Sequence, residues 1–95
     1  MAANIGPLFR LGQIVATHGA LKALKISGDS PANYIAKHSV GDWGDLCAED
    51  CKANDEAIDT GLRIISSYRL TYGTKLWTIT EADRSSTYLL LPSEY

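Results

Sequence analysis

The chain has no apolar run of about 18 residues, so no membrane-spanning helix is expected. The N-terminal stretch MAANIGPLFRLGQIVATHG carries Arg10 alone and no charged region ahead of an apolar run. It does not read as a secretory signal, and a cytoplasmic protein is expected. There is no basic excess. A net charge of −2 argues against binding driven by nucleic-acid phosphates. No GxGxxG, phosphate loop or GxSxG segment is present, which removes the common nucleotide-binding and serine-hydrolase signatures. Cysteine is scarce: Cys47 and Cys51 stand four apart. On a helix their Cβ vectors run parallel, a poor geometry for a disulfide, and two thiols do not make a zinc site. We expect buried, reduced thiols, no metal, no cofactor and no enzymatic activity.

What is present fits one domain over residues 1–95, of which residues 1–7 are a short flexible leader. The acidity is concentrated. Residues 46–61 carry Glu49, Asp50, Asp55, Glu56 and Asp59 against Lys52 alone, while each flank is close to neutral. LFRLGQIVA offers a first strand, weakened by Gly12. Thr17 is placed to cap a helix over HGALKALKI that stops at Gly28, with Leu21 and Leu24 towards the core. Ser30-Pro31 opens a second helix, in which His38 lies near the C-terminal dipole. GDWGDL is a turn-rich loop. A third helix is expected over roughly 46–60, ending at Gly61. Its stripe of Cys47, Cys51, Asn54 and Ile58 faces inward and its acids face out.

The last third changes period. LRIISSYRL, KLWTIT and STYLLLP are rich in β-branched and aromatic residues, and turns fall at Tyr72-Gly73 and Arg84-Ser85. Lys75, Trp77, Ile79 and Glu81 alternate with Leu76, Thr78 and Thr80. The fold class is therefore α+β: short N-terminal helices packed on a C-terminal antiparallel meander of three strands, or four if LFRLGQIVA joins it.

Three places carry candidate binding residues. The first is the loop with Asp42, Trp43 and Asp45, where Trp43 either anchors a partner or folds back to close the core. The second is the acidic helix face of Asp55, Glu56 and Asp59. The third is the corner TEADRSST, residues 80–87, with Glu81, Asp83 and Arg84. There Asp83 also suits an Asx turn, and Arg84 suits an ion pair with Asp83 or Glu81. Trp77 and Tyr88 form either a stacking platform or a cross-strand pair. Arg63, Tyr68, Arg69 and Arg84 offer charge stabilisation, or pair with nearby acids. His18 and His38 read as residues near helix ends.

GQIVATHGAL, GDWGDL and SYRL…GTKLWTITEADRSSTYLLLPSEY together resemble a family of small bacterial proteins of unknown function. These are carried on plasmids and other mobile elements and are often labelled type I restriction subunits. A methyltransferase subunit needs a cofactor-binding domain far larger than this chain, so that label is set aside. His18 stands where the resemblance leads one to expect proline. The resemblance implies a mobile-element protein and transfers no catalytic residue. A fainter likeness is to the RelE/ParE toxin fold, through the order strand, two helices, antiparallel strands and through RIISSYRL.

The leading expectation is a non-catalytic interaction protein with a protein partner. It would also pair with itself if LRIISSYRL or STYLLLP is an exposed edge strand. The alternatives are a toxin acting on RNA or another target, and an acidic DNA mimic that antagonises host restriction or CRISPR. Direct nucleic-acid or membrane binding is not expected.

Overall fold

The computed structural model describes residues 6–95; most of the expected leader, residues 1–5, lies outside the described residues. The element order is β1 (Gln13–Ala16), α1 (His18–Ser27), α2 (Pro31–Ser39), α3 (Ala48–Thr60), β2 (Ile64–Arg69), β3 (Lys75–Thr80) and β4 (Ser86–Leu90), then a 3-10 turn Pro92–Glu94. The protein is α+β, with short helices packed against a four-stranded sheet of order β1-β4-β3-β2. The expected meander is present, since β2–β3 and β3–β4 are antiparallel. The fourth strand makes the sheet mixed: β1 runs parallel to β4, Gln13 opposite Ser86 and Ala16 opposite Leu89. The connection that a parallel pair requires runs through the three helices and then the β2–β3 hairpin.

Local chemistry sets the helix ends. The Thr17 hydroxyl accepts from Ala20 N at 3.1 Å, and α1 stops at Gly28 in the left-handed region, which glycine enters without steric cost. α2 opens on Pro31. α3 begins at Ala48, two residues later than expected, because extended Cys47 is its N-cap.

One sheet face carries Ile64, Ser66, Tyr68, Leu76, Thr78, Thr80, Thr87 and Leu89, all buried. Over it lie α1, against β4, and α2, against β3. A first apolar cluster joins Ala20, Leu24 and Tyr34 to Tyr68, Leu70, Leu76 and Leu89. A second joins Phe9 and Trp43 to Ala57 and Ile64. Full burial of a leucine or isoleucine contributes about 1.5–3 kcal/mol. The inward face of α1 is centred on Ala20 and Leu24 rather than on Leu21, which is 48% exposed; small Ala20 lets the helix approach the sheet. The thiols are free as expected, but Cys47 is exposed and Cys51 only half-buried.

Candidate functional site

The sequence-derived candidates do not converge on one site. Asp42 shapes its own loop: its carboxylate accepts from Gly44 N at 3.3 Å and its carbonyl from the Tyr68 hydroxyl at 2.6 Å. Trp43 is buried, stacked with Phe9 at 6.1 Å and edge-on to His38 at 5.7 Å. Its indole N–H donates to Asp55 Oδ1 at 3.0 Å. Of the two readings for Trp43, closure of the core is the one the fold adopts. Asp55 is consequently a structural acceptor, while Glu56 and Asp59 lie exposed beside a shallow depression near Leu62.

GDWGDL has a clear structural task. Strand β2 is an edge, and the outward amides of its residues need partners. Ser67 N donates to Trp43 O at 3.1 Å, and Asp45 N to Ser67 O at 2.7 Å. Two residues earlier the Asn54 side chain takes over: its amide donates to Ile65 O at 2.8 Å, and its oxygen accepts from Ile65 N at 3.2 Å. Loop and helix therefore seal the edge. LRIISSYRL is not a free strand, and STYLLLP lies inside the sheet between β1 and β3.

The TEADRSST corner is likewise structural. Asp83 accepts from Ser85 N at 3.0 Å, the expected Asx turn, and the Ser85 side chain and amide hold its carboxyl below the usual range. Arg84 departs from expectation. It pairs with neither Asp83 nor Glu81; Glu81 goes instead to Arg63, at 3.1 Å. Arg84, at φ 59°, turns its guanidinium under α3. It donates to Ala57 O at 2.8 Å, Leu62 O at 2.7 Å and Glu81 O at 3.1 Å. α3 has no basic residue in its last turn, so Arg84 supplies the positive charge that a helix C-terminus favours. Arg84→Met should cost about 2 kcal/mol in chemical denaturation, and should speed amide exchange in the last turn of α3 ahead of the sheet.

His38 lies in the last turn of α2, near the helix end as expected, but its ring is in the core, 0% exposed. Its ring joins a polar chain through the interior. Nδ1 meets Ser66 Oγ, and Nε2 meets Thr80 Oγ1 at 2.9 Å. Thr80 Oγ1 lies 2.7 Å from Thr87 Oγ1, and Thr87 donates to Leu11 O at 2.7 Å. That last bond fixes the rest. Thr87 must accept from Thr80 and Thr80 from Nε2–H, and in the neutral ring Nδ1 then accepts from the Ser66 hydroxyl. Only the neutral Nε2–H tautomer fits, and burial lowers the His38 pKa to about 4. A hydroxyl beside an imidazole is the arrangement of nucleophilic catalysis, but this pair is sealed from solvent. Tyr68, buried on the same face with its pKa raised chiefly by desolvation, points away from Arg63, which lies on the other face of the sheet. Arg63, Tyr68 and Arg84 therefore do not meet.

A groove lies on that second face, between it and the first half of α3. Its volume is about 570 Å³. Ile65, Ser67 and Trp77 form the floor, with Leu46 and Ala53 across from them. Arg63 and Lys75 stand on the sheet side, Asp45 and Asp50 on the loop and helix side. The Tyr95 ring stands edge-on to Trp77 at 5.5 Å and under the Arg63 guanidinium at 5.4 Å. The Tyr88 and Tyr95 side chains hold the Arg63 pKa above its ordinary value. Tyr95 N donates to Pro92 O at 3.2 Å, and next to it Glu94 Oε1 accepts from Thr17 Oγ1 at 2.5 Å and from Leu91 N at 2.8 Å; the Thr17 bond leads in lowering the Glu94 pKa. Arg69 reaches Asp45 at 3.6 Å.

Of the residues in the three candidate binding places only Asp45 lines this groove, together with Trp77 and Arg63, the candidates for stacking and for charge stabilisation. The alternation of Lys75 and Trp77 was the available signal for the floor; nothing in the sequence places Tyr95 there. Among the described residues no group of three or more His, Cys, Asp or Glu could hold a metal ion, and no helix is long and apolar enough to cross a membrane. No family model matches the chain, and neither curated proteins nor solved structures yield a match to it.

Proposed function

We propose that this chain is a non-catalytic interaction protein that holds a segment of a protein partner in the groove between α3 and the second face of the sheet. The observation that carries the reading is the groove itself: an indole floor, with Arg63 and Lys75 on one side and Asp45 and Asp50 on the other. Aromatic anchors at the centre of a mixed-charge rim suit protein segments. The rim's opposed signs favour a segment with an apolar residue flanked by one acid and one base. Trp77 takes the anchoring role first considered for Trp43. The resemblance of GDWGDL and the C-terminal third to plasmid-borne proteins supports a mobile-element origin and a cytoplasmic setting.

The test is a host pull-down with wild type, Lys75→Glu, Trp77→Ala and, as a control on the outer face of α3, Glu56→Lys/Asp59→Lys. Lys75 is exposed, so its variant should fold normally. We expect Lys75→Glu and Trp77→Ala each to lose the partner about tenfold or more, as hot-spot truncations do, while the control retains it. A partner that survives both groove variants would remove the reading. Loss in the control alone would move the site to the acidic face, as the DNA-mimic alternative requires.

A further inference from the structure

The two edges of the sheet are treated differently. β2 is sealed at Ile65 by the Asn54 amide and at Ser67 by the loop backbone. On β1, Gln13 N donates to Ser85 O at 3.0 Å and Thr17 N to Leu89 O at 2.9 Å, so the odd-numbered amides face β4. Alternation then turns the N–H and C=O of Ile14 and Ala16 outward. Among the described residues no strand lies on that side. β1 is short, at four residues, but it lacks the chemical protections of an edge, since QIVA contains no lysine, proline or charge. Ile14 is 52% and Val15 47% exposed, one on each face of the sheet.

We propose that β1 is the surface through which two copies of this chain associate, pairing antiparallel about a two-fold axis at Val15. The hydrogen-bonding groups on this edge are those of a strand, so the complement is a strand. The sequence of β1 fits itself. Centred on Val15, each Ile14 stands opposite Ala16 of the second copy, large against small, and Val15 meets Val15 on the other face. This register uses the outward groups of both Ile14 and Ala16, giving about four backbone hydrogen bonds. Centring on Ile14 instead would pair Ala16 with Gly12, whose φ of 67° takes it out of the extended run. With no charge on the strand, nothing opposes the pairing of like with like, and a two-fold contact closes on itself without open-ended growth. α1, which packs on β4 next to this edge, adds exposed Leu21.

The experiment is sedimentation equilibrium of the full chain over a wide dilution series, with Val15→Lys and Ile14→Pro alongside. Val15→Lys sets two like charges face to face on the axis. Ile14→Pro removes an N–H that the monomer's sheet does not use. We expect a wild-type dimer that dissociates on dilution and a dissociation constant raised about tenfold or more in both variants, with circular dichroism unchanged. Amide exchange at Ile14 and Ala16 should slow as concentration rises. A wild type that is monomeric throughout, a dimer indifferent to Val15→Lys, or association that continues beyond two copies would each overturn the proposal.

Discussion

Gly44→Ala should destabilise the protein by about 3 kcal/mol or more, far beyond an ordinary glycine replacement. Gly44 sits at φ 79°, a conformation that costs an L-residue about 1–3 kcal/mol. A Cβ there would stand 2.0 Å from Ser67 O and 2.7 Å from the Tyr68 ring. The obstacle at Ser67 is backbone in the middle of a strand, which cannot step aside as a flexible side chain would. The loop must lift off, and the two bonds between Ser67 and residues 43 and 45 go with it. Gly73→Ala is the control. It has a similar φ of 90° and open space around it, so it should lose only about 1–2 kcal/mol. Urea denaturation of both variants checks the difference. Faster amide exchange at Ser67 in Gly44→Ala alone would assign it to the edge seal, and equal losses in the two variants would sink the argument.

Stability should fall by about 3 kcal/mol between pH 6.5 and pH 4, and the fall should vanish in His38→Leu. In the unfolded chain this imidazole takes up a proton near pH 6.5; in the fold, burial delays that to about 4. Between the two values the unfolded state binds more protons, so unfolding free energy rises with pH across the window and is lost as pH falls through it. The hydroxyl chain adds a reason for the low value. An imidazolium would donate at both ring nitrogens, so the Ser66 hydroxyl, which meets Nδ1, would have to turn from donor to acceptor. Asp83 and Glu94, with lowered folded-state values, contribute stability that begins to be lost as pH falls past the unfolded carboxylate values of about 4, at the foot of this window, so the slope above about pH 5 reports His38. Denaturation midpoints at neutral pH and at two points inside the window, for wild type and His38→Leu, decide the matter. The variant should be weaker at neutral pH, because Thr80 and Ser66 lose the ring, and flat in pH across the window. A slope that persists would show that another group is responsible.

The fold was legible wherever a local signal sufficed. Thr17, Pro31, Gly28 and Gly61 mark helix ends through their own backbone and side-chain chemistry, and the alternation in KLWTIT assigns its two faces. What the sequence did not disclose depends on distant partners. Trp43 lies inside because Asp55 and Phe9 meet it there, and nothing in GDWGD distinguishes that from an exposed anchor. Arg84 has acids at hand on either side, yet the carbonyls at the end of α3 come within reach only in three dimensions. His38 does stand in the last turn of α2, but the partners of its ring, Ser66 and Thr80, lie on β2 and β3. The groove escaped for the same reason: Asp45, Asp50, Arg63, Lys75 and Trp77 come from a loop, a helix, the residue before β2 and strand β3.

The parallel contact between β1 and β4 has a kinetic side. Thr87 reaches Leu11 across 76 positions, whereas β2 and β3 are joined by the short turn Leu70–Thr74. Loop-closure entropy scales with the logarithm of length, so the long closure costs about 2 kcal/mol more than the short one. Non-local pairings of this kind slow folding relative to hairpins. The strand that carries the open edge is thus also the one with the highest entropic cost of docking onto the sheet.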